Sequence, residues 1–286
     1  MAAVPSAPGS PSGRRPPRSP FLDGPAAFTV GLAPIPEAQW LTPDWEAACL
    51  PEKAALIQTA LVDPRQAGVF AALPESEPAG AEAARLVERA VGVAETGDLL
   101  QASRAVSDDL VVVQPLHGQW TVTALTLCAP TFFSAAEAIG RDISLLHGPV
   151  PDRLADGAQG LGVRISRVFS ALRPDLVLER HNWTVQPGPD RYAPASAPLW
   201  DRIPAIPATD AAAVLHLRVE RQTIRRLPES GGVLFTIRVS LDPLASLAGR
   251  PDVRAALRES IANSAPEVRR YKKWDRLEAL LRSALG

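Results

Sequence analysis

LHLRVERQTIRRLPESGGVLFTIRV, residues 215–239, decides the fold class. In its first part Leu215, Leu217 and Val219 alternate with His216, Arg218 and Glu220, the period of two that a half-buried strand requires. Leu227-Pro228-Glu229-Ser230-Gly231 supplies turn residues. Beyond it Val233, Phe235, Ile237 and Val239 alternate with Leu234, Thr236 and Arg238. The pattern predicts two antiparallel strands, over Ala213–Gln222 and Gly232–Leu241.

Working outward, Leu176–Gln186 is a third strand. It sends Leu176, Leu178, Arg180 and Asn182 to one face and Val177, Glu179, His181 and Trp183 to the other. Asp109–Gln114 and Trp120–Leu127 form a further hairpin across His117-Gly118 with a slightly long loop. Helical spacing is predicted over Pro51–Leu61, Ala81–Val93, Phe133–Leu146, Leu161–Leu172, Asp252–Ile261 and Trp274–Leu285. Ser134 with Glu137 three residues on reads as a capping box, and His147-Gly148-Pro149 ends that helix. Five strands with helices segregated around them predict an antiparallel α+β domain. Residues 1–20, rich in Pro, Ser, Gly and Arg, are expected to be disordered, leaving one domain over 21–286. Pro187–Pro207 reads as a long loop between strands.

Composition excludes several functions. Thirty Lys and Arg against 31 Asp and Glu give a net charge of −1, so no global basic field holds nucleic acid. No apolar run approaches the roughly 20 residues a bilayer span needs, and a cytoplasmic location is expected. Two Cys, Cys49 and Cys128, cannot ligate a zinc or iron–sulfur centre alone. The chain has no P-loop, Rossmann fingerprint, HExxH or GxSxG motif.

Three features remain open on the residues alone. Arginines on the strand faces read either as a half-solvated sheet or as a site for an anion or a propionate-bearing cofactor. His147 is either a helix-end histidine favoured by the dipole or a ligand presented to a haem iron. Arg269-Arg270-Tyr271-Lys272-Lys273-Trp274 is either a solvated helix start or a surface for an acidic partner or, against the net charge of −1, for nucleic acid by charge and stacking.

At His147-Gly148-Pro149-Val150-Pro151, at Arg180-His181-Asn182-Trp183, and above all at Glu220-Arg221-Gln222-Thr223-Ile224-Arg225-Arg226-Leu227-Pro228 continuing into Gly232–Arg238, the chain resembles the haem-dependent oxidative N-demethylases, alpha-subunit-like. Weaker similarity reaches Trp40-Leu41-Thr42-Pro43-Asp44. The resemblance implies a PAS-like domain with non-covalent haem b. It implies use of dioxygen to demethylate small secondary amines such as dimethylamine, with release of formaldehyde. Electrons would come from a partner reductase carrying flavin and an iron–sulfur cluster. It makes His147 the expected axial ligand. Arg180, Arg221 and Arg225, with Asn182 and Arg238, are the expected cofactor-binding set, and Trp183 a cavity wall. Glu220 is the expected partner of a substrate ammonium or a proton relay. Strand alternation nevertheless puts Glu220 and Arg221 on opposite faces unless a bulge intervenes. The alternative class is a PAS-like module that binds haem or another small ligand without turnover.

Overall fold

The structure, a computed structural model, describes residues 19–27, 30–62, 68–143 and 160–286. Its centre is the predicted hairpin, β6 (Leu215–Arg226) and β7 (Val233–Pro243). Around it are β1 (Ala33–Ile35), β2 (Phe70–Ala72), β3 (Asp109–Leu116), β4 (Gln119–Thr126) and β5 (Val177–Pro187). They form one sheet in the order β1-β5-β6-β7-β3-β4-β2, antiparallel at every pairing. The α+β class stands, and five strands become seven. The two additions are edge strands of three residues, too short to show a period, and β1 carries Pro34 at its middle, where only an edge tolerates it.

Both faces are covered. On one, α2 (Glu77–Val91) and α3 (Leu99–Arg104) pack on Val112, Val177 and Leu234, while α8 (Pro251–Asn263) and α10 (Glu278–Leu285) pack on Trp183, Leu217 and Val219. On the other, α4 (Ala135–Ala138) and α5 (Leu161–Ala171) cover Val113, Ile224 and Val233. α1 (Leu50–Val62) closes the β2 edge through Ile57, Val69 and Leu100. α6 (Ala197–Trp200) breaks the expected loop after β5, burying Leu199 and Trp200.

The turns explain two differences. His117 and Gly118 both have positive φ, 50° and 80°, so the β3–β4 loop is a two-residue turn of the type that matches strand twist, tighter than expected. The predicted helix over 133–146 begins as expected, with the Ser134–Glu137 capping box, but stops at Ala138. Gly140 turns the chain at φ 74°, and residues 140–142 pair with β4 instead: Gly140 N donates to Val122 O and Val122 N to Arg141 O, both at 2.9 Å. That stretch of β4 lies beyond the reach of β2, so the chain satisfies otherwise open backbone groups. At the β6–β7 turn, Glu82 on α2 accepts the backbone N–H groups of Glu229 and Ser230, each at 2.8 Å. Of the predicted tail only Ser19 and Pro20 are described, and Pro20 opens a short 3-10 turn; His147 and its flanking Gly148-Pro149 lie outside the described residues.

Candidate functional site

A narrow cleft lies between α5 and the centre of the sheet. Ile165, Val168 and Phe169 from α5, Ile224 and Phe235 from β6 and β7, and Val30 and Leu32 ahead of β1 make its walls apolar. Ile143 adds to them. Two polar side chains enter this lining, Arg180 and Gln222, which face each other directly across β5 and β6. Arg180 makes no hydrogen bond or ion pair to any described residue. Burial weakens its hold on the proton, and the Glu220 carboxylate works the other way. A guanidinium nonetheless stays charged in a protein, so an apolar cleft holds an uncommitted cation.

Beside the cleft, Glu220 gathers donors. It accepts from Thr131 Oγ1 (2.9 Å), Asn182 Nδ2 (3.2 Å), Arg218 Nε (3.2 Å) and Gln222 Nε2 (3.0 Å). Burial alone would raise this carboxyl, but the Arg218 charge and the hydrogen bonds outweigh it and hold the group below its usual range. Arg218 is 1% exposed, donates also to Ala129 O at 2.5 Å, and leaves Nη1 without a partner among the described residues. Lys272, following α9 (Pro266–Tyr271), extends the network by donating to Asn182 Oδ1 (3.1 Å) and Trp183 O (2.6 Å).

The opposite face does a different job. Arg221 donates to Glu179 and to the carbonyls of Trp40 and Gln39, at 2.5, 2.5 and 2.7 Å. Arg225 pairs with Glu37 at 2.7 Å and lies over the Trp40 ring. Arg238 sets Nε and Nη2 on a single oxygen of Asp108, Oδ2, and donates to the carbonyls of Leu41 and Pro43. Trp40 itself donates to Thr223 Oγ1 at 3.0 Å. These three arginines clamp the Glu37–Asp44 segment onto the sheet. Trp183 lies on that side too, stacked on Trp274 with ring centroids 5.0 Å apart.

The expected site set therefore divides. Arg180, Asn182 and Glu220 come together with the cleft; Arg221, Arg225, Arg238 and Trp183 do not line it. The alternation of β6 is unbroken, with no bulge between Glu220 and Arg221. A shared polar face for Arg218 and Arg238 is corrected by register, which sets Arg238 opposite Arg221. Of the described histidines, His117 sits in a turn, His181 lies 3.8 Å from Glu179, and His216 faces Val214 O at 2.8 Å; none lines the cleft. No cluster of three or more metal-ligating side chains occurs among the described residues, and no helix among them is long and apolar enough to cross a membrane. Cys49 and Cys128 are buried free thiols.

Sequence reading missed Gln222, Arg218, Thr131 and Lys272. Gln222 and Arg218 share the parity of Glu220 and were open to inference; Lys272 was not, because its run ends α9 instead of starting a solvated helix. Burial pushes the Lys272 ammonium down to about 8, against Glu220 and with Arg180. Between about 8 and the ordinary 10.5 the unfolded chain then binds a proton that the folded chain does not, so stability rises with pH across that window. Relative to Lys272→Met, the native protein is expected to gain ~1–2 kcal/mol as pH rises through it, measured by urea midpoints; parallel curves would refute this.

Residues 89–281, about two thirds of the chain, match the sequence model of a family described as haem-dependent oxidative N-demethylase, alpha subunit-like.

Proposed function

Because the chain belongs to the haem-dependent oxidative N-demethylase, alpha-subunit-like family, we propose that it is the haem-bearing subunit of an enzyme that demethylates a small secondary methylamine. The family's description carries haem dependence, oxidative N-demethylation and a subunit of a larger complex. The finer reading is a PAS-like sheet domain with non-covalent haem b, dimethylamine as the model substrate, and formaldehyde as product. Electrons come from a partner reductase with flavin and an iron–sulfur cluster, in the cytoplasm.

The observation that carries this reading is the uncommitted Arg180 guanidinium in an apolar cleft. Arg180 would receive a carboxylate arm of the macrocycle, because a guanidinium fork pairs a carboxylate bidentately; the free volume of the cleft in this structure, about 30 Å³, is that of a small molecule and not of the whole porphyrin. His147 would be the ligand to the haem iron in this reading; in the sequence it lies between Ile143 and α5, both of which line the cleft. Bound haem supplies the iron at which dioxygen is activated for oxidation of the N-methyl group.

The chain's own residues do the rest. Ile165, Phe169, Ile224 and Phe235 exclude water from the cleft. Glu220, ionised and fully engaged, orients Asn182 and Gln222, while Lys272 fixes Asn182 from its other end. Arg221, Arg225, Arg238 and Trp183 act through the fold.

The test is the absorption spectrum of the purified protein after haemin titration, before and after reduction and carbon monoxide. A Soret band that shifts at both steps is expected, with haem loading in His147→Ala reduced at least about tenfold by loss of the iron bond. A featureless native spectrum would overturn the reading. Reductase-dependent formaldehyde release from dimethylamine then tests turnover.

A further inference from the structure

Gln222 carries an orientation that its own side chain does not decide. An amide presents NH2 at one end and a carbonyl at the other, and an ionised carboxylate only accepts hydrogen bonds. With Glu220 Oε2 at 3.0 Å, the NH2 end must face the carboxylate. Glu220 is itself fixed by three other donors, Thr131, Asn182 and Arg218, so the anchor does not swing. Gln222 Oε1 is left over. It accepts no hydrogen bond from any described residue, and the side chain lines the cleft. Its cross-strand neighbour there is Arg180, which only donates. Within apolar walls the cleft thus offers one guanidinium and one carbonyl oxygen, two groups of opposite hydrogen-bonding sense.

We propose that Gln222 is the specificity-determining residue of the cleft, reading an N–H group of a small methylamine through Oε1, with Glu220 as the positioning residue that keeps the carbonyl turned inward. The proposal rests on the functional reading above. A carboxylate arm belongs to Arg180 and an N–H to Gln222; neither can take the other's ligand. The methyl groups of the amine rest against Ile224 and Phe235. A ligand of the same shape and charge without an N–H leaves the carbonyl of this 8% exposed side chain without a partner, and a site built around such a group rejects that ligand.

The experiment is calorimetric titration of dimethylamine into the full-length haem-loaded chain and into Gln222→Met, which keeps length and removes the acceptor. Dimethylamine affinity is expected to fall at least about tenfold in Q222M, with the Soret band close to native and the urea midpoint lowered by loss of one of the four donors to Glu220. Equal affinity in two haem-loaded proteins overturns the role of Gln222 and leaves the haem reading standing; native protein that takes up no haem overturns both. Should Q222M fail to fold, native protein decides between trimethylammonium, which keeps one N–H, and trimethylsulfonium, of the same charge and closely similar shape without it. Preference for the ammonium of about tenfold or more is expected, and no preference overturns the proposal.

Discussion

Arg238→Leu is expected to lower the unfolding free energy by about 3–5 kcal/mol, enough to leave much of the protein unfolded at moderate denaturant. Arg238 is 3% exposed and Asp108 is wholly buried. The guanidinium holds Asp108 by Nε at 2.8 Å and by Nη2 at 2.6 Å, and its remaining N–H groups reach the carbonyls of Pro43 and Leu41 at 2.9 and 2.7 Å. Leucine fills part of the volume but leaves a buried carboxylate and two carbonyls without donors. Arg238→Lys keeps the charge and loses the fork, so it should fall between the two. Urea denaturation of the three proteins checks the order. A lysine variant as stable as the native chain would show that charge alone matters, and a stable leucine variant would sink the clamp.

Glu220→Gln should cost about 3 kcal/mol, at the lower end for a broken buried pair, because Asp109 also compensates Arg218. Arg218 remains buried and loses its direct carboxylate partner. The pH dependence distinguishes this from a packing defect. The Glu220 carboxyl sits below its ordinary 4.5 in the folded chain, so its stabilisation is complete at neutral pH and is lost as pH falls through the folded value. The gap between native and E220Q should therefore narrow on acidification, as read from urea midpoints. A gap constant down to acid unfolding would contradict an ionised Glu220. The same variant frees the Gln222 amide to turn, so weakened dimethylamine binding is expected beside the lost stability.

Period and turn chemistry made β5, β6 and β7 legible, together with the facing of each residue within its own strand. The register between strands was not legible, because alternation says nothing about which parity of one strand meets which of the next. That is why Arg218 and Arg238 read as neighbours on one face while pairing placed Arg238 opposite Arg221. The helix over 133–146 failed for a related reason: its apolar spacing was real, but Gly140 and the open edge of β4 outcompeted it. In the site, Arg180, Asn182 and Glu220 were found by parity and resemblance. Lys272 depends on where α9 lands against β5, a tertiary fact that no local pattern in a basic run carries.

The arginine clamp has a consequence for where the cooperative unit begins. The span shared with the family starts at residue 89, yet the carbonyls and carboxylates that receive Arg221, Arg225 and Arg238 lie at residues 37–44, apart from Glu179 and Asp108. Trp40, with no exposed surface, is seated among the same strands. A chain trimmed to the shared span would keep Glu179 for Arg221 and Asp108 for Arg238 but lose their carbonyl acceptors, the Glu37 partner of Arg225 and the indole of Trp40. The span matched by the family and the span over which these charges are neutralised therefore do not coincide, the second reaching back to Glu37.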